Sequence, residues 1–453
     1  MLNTPRSDSN TPQHSSEHTP RAHPQGAGID QVTSESAQAL IAAMDRRGFL
    51  AATGGSLVAL SLLPHLGFAA PMLSNADPVS IALVGAGRHG RALIDELQKL
   101  ENVKIVAVCD TDQVRLDALK RRLKDVTGYL SHAELIEKAK DVTAVVVATP
   151  THTHKQIVLD AIAAGKHVFC EAPLANTVDD CKAIAKAASG SKMVFQSGLY
   201  ARSNPVYKLA RSFFRSDSVR DMICMRAQNF RKQTWRFPSA DPSKDKDNNW
   251  RLNPEVSLGI AGELGTHQFD VFNYYTGKYP ASVWGHGAIR MYDDGRTIAD
   301  TVHCDFQYAD KAMLSYVGSL GNSYEGRHEV FHGSNAAIKL AWSHGWLFKE
   351  SDAPTQGWEV YANRQQFHND EGITLIADAT KLASQGKLKD GVGLPYSPQY
   401  YALVDFVASI NDGKAVACSA DEGARCSIIG ICAAEAVAGG KEVKITDELL
   451  RIA

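Results

Sequence analysis

The residues of this 453-residue chain that speak most directly of chemistry are Gly85-Ala86-Gly87-Arg88-His89-Gly90, a G-x-G-x-x-G pattern. Gly85 permits a tight turn, Gly87 lets backbone approach a pyrophosphate, and Gly90 lets a helix pack close to the preceding strand. Arg88 and His89 fill the last variable positions, at the start of that helix. Its N-terminus offers unpaired N–H groups and a positive dipole end to phosphates. Asp110, 25 residues after Gly85, can accept hydrogen bonds from a ribose diol and would repel a 2′-phosphate. The pattern therefore predicts NAD over NADP, although the Arg88 cation could tolerate a phosphate.

Two further groups of chemically able residues follow apolar runs. Thr149-Pro150-Thr151-His152-Thr153-His154 comes after Val142–Ala148, and Glu171-Ala172-Pro173 comes after His167–Cys170. Around them, strand-like runs (Ile81–Val84, Val103–Cys109, Met193–Gln196) alternate with helix-length stretches at 113–123, 133–140, 155–164 and 177–188. That order predicts a parallel doubly wound sheet, with its ligand crevice at the carboxyl ends of the strands. Thr149, Pro150, His152, His154 and Glu171 all fall at such ends and are expected to edge the cofactor. For His154 the alternative is a helix cap, and for Glu171 a residue that holds the turn. From Tyr200 the pattern changes to strands separated by turns (222–230, 282–290, 302–308, 313–317, 329–332, 336–340), then helices at 398–413 and 421–437. These predict a second α+β domain on a mostly antiparallel sheet. The expected division is 77–199 for the nucleotide domain and 200–453 for the second.

The first 76 residues read differently. Residues 1–44 are largely Ser, Thr, Pro, Gln and His, with little to bury, and are expected to be disordered. Residues 45–76 hold Arg46-Arg47, then Phe49-Leu50 and an uncharged stretch ending near Ala69-Ala70, similar to a twin-arginine export signal. The apolar stretch is short for a membrane span. Export, to the periplasm or beyond, is the expectation. Asp45 and Ala51 depart from the usual signal pattern.

Composition narrows the partners. A net charge of −2 without a long basic run gives no footprint for nucleic acid or an anionic membrane surface. The eight cysteines form no C-x-x-C or Cys/His cluster, so no metal site is expected.

Taken together, these features resemble the glucose–fructose oxidoreductase/inositol dehydrogenase (Gfo/Idh/MocA) family over roughly residues 78–445. The resemblance is carried by the glycine pattern, by Ala148–His154, and by Cys170-Glu171-Ala172-Pro173-Leu174-Ala175, where the family has C-E-K-P-x-A. In the second half it is carried by Gly262-Glu263-Leu264-Gly265-Thr266-His267-Gln268-Phe269-Asp270, similar to the family's D-x-G-x-H-x-x-D. It implies an NAD-dependent oxidoreductase acting on a carbohydrate or polyol. His267 is then the expected proton carrier, with Glu263, one helical turn earlier, orienting it or binding a substrate hydroxyl. Asp270, Arg202, Trp250 and Arg251 are expected at the substrate, aromatic planes beside arginines being suited to a sugar ring. Ala172 departs from the family: it removes the ammonium usually found beside the nicotinamide. Export favours NAD held tightly and regenerated within each cycle, either by oxidising one sugar and reducing another or in a redox-neutral, NAD-assisted glycosidase. A sugar-binding protein that merely retains NAD is the reading from a different class. The family's antiparallel sheet often pairs with its copy, which implies a homo-oligomer.

Overall fold

The computed structural model describes residues 78–239, 241–357, 359, 364–367, 370–375 and 393–452. The expected disordered extension and export signal lie outside the described residues. Six short strands form the first sheet: β1 (Val79–Val84), β2 (Val103–Cys109), β3 (Thr127–Tyr129), β4 (Ala144–Val147), β5 (His167–Cys170) and β6 (Phe195–Ser197). All pair in parallel, in the order β3-β2-β1-β4-β5-β6. The apolar runs of β1 and β4 follow from coverage on both faces. Within β1, Ala82 and Val84 enter one core while Ile81 and Leu83 enter another. The Thr-Gly-Tyr of β3 was too short and too polar to register as a strand in the sequence.

Helices α1 (Arg88–Leu97), α2 (Gln113–Arg122), α3 (His132–Lys138), α4 (His154–Ala163) and α5 (Val178–Ser189) alternate with these strands, and α6 (Pro205–Arg215) follows them. Leu93, Ile94 and Leu97 form the buried stripe of α1. Thr177 caps α5, its hydroxyl accepting the Asp180 N–H as the sequence pairing suggests.

The second sheet has ten strands: β7 (Met222–Phe230), β8 (Ser282–Ala288), β9 (Thr301–Gln307), β10 (Met313–Ser319), β11 (Arg327–Gly333), β12 (Ala336–Ala341), β13 (His344–Lys349), β14 (Arg364–Phe367), β15 (Asp370–Leu375) and β16 (Glu442–Lys444). Their order is β14-β15-β13-β12-β11-β7-β10-β9-β8-β16, antiparallel except where β7 meets β10. Buried and exposed residues alternate along β9 because helices cover one face only. That cover is α6, α8 (Gly259–Glu263), α9 (Gly265–Thr276) and α11 (Ala420–Gly439); the short α7 (Asp245–Asn248) and α10 (Pro398–Asp412) lie elsewhere. Before the last strand, two helices return to the first sheet's side. Helix α10 packs on α1 and α11 on α5, and Ser197 N–H donates to the Cys418 carbonyl at 3.0 Å. Both halves are thereby pinned around the carboxyl ends of β1, β4, β5 and β6.

Candidate functional site

The glycine turn is built as its spacing requires. Gly85 has φ of +104°, and a Cβ there would lie 2.6 Å from the Ala148 backbone; one on Gly90 would lie 1.8 Å from the Gly85 carbonyl oxygen. Around the Cβ direction of Gly87 nothing lies within 4 Å, which leaves the open approach a pyrophosphate needs. Asp110 sits at the end of β2, 8 % exposed, and its carboxylate accepts the Ala86 N–H at 2.7 Å and the Asp112 N–H at 2.9 Å. It thus braces the turn. Arg115 approaches to 3.9 Å. The second half of the chain reaches over this end: Lys244 pairs with Asp112 at 3.1 Å, and Arg115 donates to Asn248. Arg88 is exposed at the start of α1. The open cradle, free of side chains at Gly87 and ending in a helix N-terminus, fits a dinucleotide.

Beside the turn, four titratable groups come together. Strands β5 and β6 are parallel neighbours, so the residues just past them meet, and Gly198 N–H donates to the Cys170 carbonyl at 2.7 Å. Glu171 thereby receives the Tyr200 hydroxyl in a hydrogen bond and faces His89 Nε2 at 3.0 Å. His89 Nε2 also lies 2.9 Å from the Tyr200 hydroxyl. On its other face the Tyr200 ring stacks on His267, with centroids 5.6 Å apart and planes 16° from parallel. Trp342 meets the Tyr200 edge at 6.4 Å, and Arg327 lies 4.1 Å over the Trp342 ring.

Their ionisation is set by burial and by each other. Burial alone would raise the Glu171 carboxyl, but His89, Tyr200 and His267 outweigh it and hold the group below its usual range. Burial opposes protonation of His89, yet Glu171 prevails and raises that ring, with Arg251 a minor opposing charge. Burial, then the Glu171 charge, push Tyr200 far above ordinary, so its hydroxyl is neutral. Desolvation and the Arg327 cation bring His267 down to about 4. At neutral pH it is an uncharged imidazole of low basicity, well below the ~6.5 of a free histidine.

Glu263 closes α8 and His267 lies in the first turn of α9, with the αR residue Leu264 between the two helices. The Glu263 carboxylate accepts the Thr151 hydroxyl at 2.8 Å and the Leu258 N–H at 3.2 Å. Burial raises its pKa against the pull of Arg251. Thr151 belongs to the Thr149–His154 turn, so Glu263 joins the two halves. His154 is 2 % exposed, and its ring nitrogens lie 3.0 Å from the Pro173 carbonyl and 2.9 Å from that of Thr149. It ties two strand-end loops together instead of edging the cofactor itself. Pro150 begins the turn, and the Thr153 hydroxyl donates to that of Thr149 at 2.8 Å. The His152 ring lies 6.0 Å from that of Trp250, and Arg251 lies 4.3 Å over the Trp250 ring.

Arg202 and Asp270, expected at the substrate, are corrected as well. Asp270 is wholly buried and Arg202 is 5 % exposed. The guanidinium grips both carboxylate oxygens at 2.8–3.1 Å and also pairs with Glu422. With its oxygens taken by Arg202, Asp270 locks the turn that carries Tyr200 to the helix that carries His267. Tyr200, Arg327 and Trp342 were missed by sequence reasoning. For Tyr200 a signal existed: it lies just past a strand that neighbours the one ending before Glu171. Among the described residues no group of three or more His, Cys, Asp or Glu is placed to hold a metal ion.

Comparison with known proteins agrees with this arrangement. Residues 79–199 match the model of an oxidoreductase family with an NAD-binding Rossmann fold, and residues 229–339 match the GFO/IDH/MocA C-terminal domain. The chain belongs to the Gfo/Idh/MocA family. Among relatives, the myo-inositol 2-dehydrogenase of Thermotoga maritima is 22 % identical over 367 residues, covering 81 % of this chain and 98 % of that protein. A glycosyl hydrolase family 109 protein of Shewanella putrefaciens is 25 % identical over 234 residues, 47 % of this chain and about half (49 %) of that protein. Levoglucosan dehydrogenase in complex with NADH and levoglucosan shares the fold, with a TM-score of 0.64 at 19 % identity over 82 % of this chain and all of that one. The Gfo/Idh/MocA architecture of a parallel NAD-binding sheet followed by a mostly antiparallel one is therefore the architecture of this chain.

Proposed function

We propose that this protein is an NAD-dependent oxidoreductase that oxidises a secondary alcohol of a sugar or polyol. The observation that carries the reading is the grouping of Tyr200, Glu171, His89 and His267 beside the glycine turn. When bound, NAD supplies a hydride acceptor. Glycines 85, 87 and 90, the α1 N-terminus and Asp110 would hold it. Such a reaction needs a group that takes the hydroxyl proton as the hydride leaves. Ala172 offers none, whereas the Tyr200 hydroxyl and the neutral His267 ring present a donor–acceptor pair for the reacting hydroxyl. Trp250 with Arg251, and Trp342 with Arg327, supply aromatic planes and cations suited to a sugar ring. The Lys244–Asp112 and Arg115–Asn248 contacts close the second half over the ribose end, which favours a slowly exchanging cofactor.

The test is to denature the purified mature protein, identify the nucleotide released, and screen the intact protein against sugars, polyols and aryl glycosides. Reduction of the nicotinamide by a sugar supports the reading. Release of sugar from an aryl glycoside without net NADH would move it to the redox-neutral glycosidase; the partial Shewanella match is named a glycosyl hydrolase. A sugar-dependent gain in stability with no spectral change would leave a binding protein.

Two further parts of the reading rest on less. The paired arginines 46 and 47 support twin-arginine export, and replacing both with Lys should trap the precursor inside the cell; unchanged export would refute it. The open face of the second sheet exposes Trp284 and Met313, 43 % and 59 % accessible, which supports pairing with a second copy. Light scattering that found only monomer would reject that pairing.

A further inference from the structure

We propose that His89, inside the glycine pattern, is the terminus of a proton relay that runs from the substrate hydroxyl through Tyr200 to solvent, with Glu171 as its fixed counter-charge. The proposal rests on the oxidoreductase reading above. A residue at this position of the turn has only to begin a helix. Here its imidazole instead crosses to the ends of β5 and β6, where Nε2 lies 2.9 Å from the Tyr200 hydroxyl and 3.0 Å from a Glu171 oxygen. The three atoms are mutually within hydrogen-bond reach. One end of the array touches the His267 stack, where substrate is expected. The other is open, because the His89 side chain is 41 % accessible while that of Glu171 is 8 %.

The step balances as follows. With NAD bound, the carbinol C–H bond would break with its electron pair, which the cofactor would accept as hydride. The O–H proton moves to the Tyr200 oxygen as Tyr200's own proton, donated to Glu171 at rest, turns to the unprotonated Nε2 of neutral His89. The alcohol becomes a carbonyl, and His89 becomes an imidazolium whose new Nε2–H donates to Glu171. The ring's other proton, on Nδ1, then passes to water, which returns the ring to neutral. Run backwards, the same path delivers a proton for carbonyl reduction. Tyr200 is too weak an acid to hold a charge and so passes the proton on; Glu171 accepts hydrogen bonds in both states.

The charged and titratable groups facing His89 are Glu171, Tyr200, His267 and Arg251. Glu171 favours the imidazolium and Arg251 opposes it. Relay by Glu171 alone is disfavoured: its hydrogen bonds and neighbouring imidazoles favour the ionised form, and it is shut from water. Relay through His267 is disfavoured by its low basicity.

The test uses the mature full-length protein. NMR titration of the ring resonance lost in His89→Gln should show wild-type His89 titrating above the free-histidine range and falling on Glu171→Gln; no change on Glu171→Gln overturns the coupling. In single turnovers with a reducing sugar or polyol, a pH-indicator dye follows proton release alongside the nicotinamide absorption band. His89→Gln, which keeps a hydrogen-bonding group but cannot carry the proton, should slow both by on the order of 10²-fold. Wild-type rates of both in His89→Gln would overturn the relay while leaving the oxidoreductase reading intact. If no substrate reduces the wild-type protein, that reading fails instead, and the titration alone decides whether His89 and Glu171 are coupled.

Discussion

Replacing Tyr200 with Phe deletes one oxygen and leaves the ring its packing: the stack on His267 at 5.6 Å and the edge contact with Trp342 at 6.4 Å. What is lost is the hydroxyl between Glu171 and His89. A hydrogen bond to a charged group contributes roughly 1.5–3 kcal/mol, so stability should fall by about that amount or less, since His89 remains beside Glu171. Turnover should fall much further. If Tyr200 carries the proton, the loss is on the order of 10²–10⁴, or roughly 2.7–5.4 kcal/mol in the barrier. Steady-state oxidation of the best sugar or polyol, read at the nicotinamide absorption band, measures the loss, and NADH binding should stay near wild type. A folded, NADH-binding Tyr200→Phe protein with wild-type turnover would refute the reasoning and leave His267 as the remaining candidate.

The Asp110 carboxylate braces the Ala86 and Asp112 amides, so Asp110→Ala should weaken NAD more than NADP yet also weaken NADP; titration calorimetry with both nucleotides checks this, and equal losses would remove Asp110 from the ribose. Because His267 is depressed to about 4, it should contribute stability that is present above ~6.5 and lost as pH falls towards 4, where the unfolded ring binds a proton that the folded one refuses. Denaturant midpoints of wild type and His267→Gln should therefore diverge between those values, and parallel curves would place the ring in water. His267→Ala should also lower turnover while NADH stays bound. Asp270→Asn strips the main partner from buried Arg202 and should cost about 3 kcal/mol, at the low end for a broken buried pair because Glu422 remains. A change in KM without loss of stability would instead return Asp270 to the substrate.

How much was legible depends on how local the signal is. The glycine turn, its helix and Asp110 lie within one strand–helix–strand unit, where each position has a separate steric or electrostatic job, and they could be read in order. Strand and helix order followed because the doubly covered β1 and β4 are continuous apolar runs, whereas β9 alternates. The four-residue spacing of Glu263 and His267 could not show that the Glu263 carboxylate is engaged by Thr151, 112 residues away in sequence. Arg202 and Asp270 looked available because sequence shows charge but not burial; their pairing joins residues 68 apart. Tyr200 and Glu171 meet through strand adjacency, and Arg327 and Trp342 arrive from β11 and the β12–β13 turn, which nothing local in the sequence announces.

Incubating the purified protein with polyols and sugars deuterated at the carbinol carbon, then recovering the nucleotide for mass analysis, tests the central claim most directly. The account predicts NADH that carries the deuterium, formed in step with loss of the alcohol. A nucleotide that stays bound, oxidised and free of deuterium across the whole panel would contradict it.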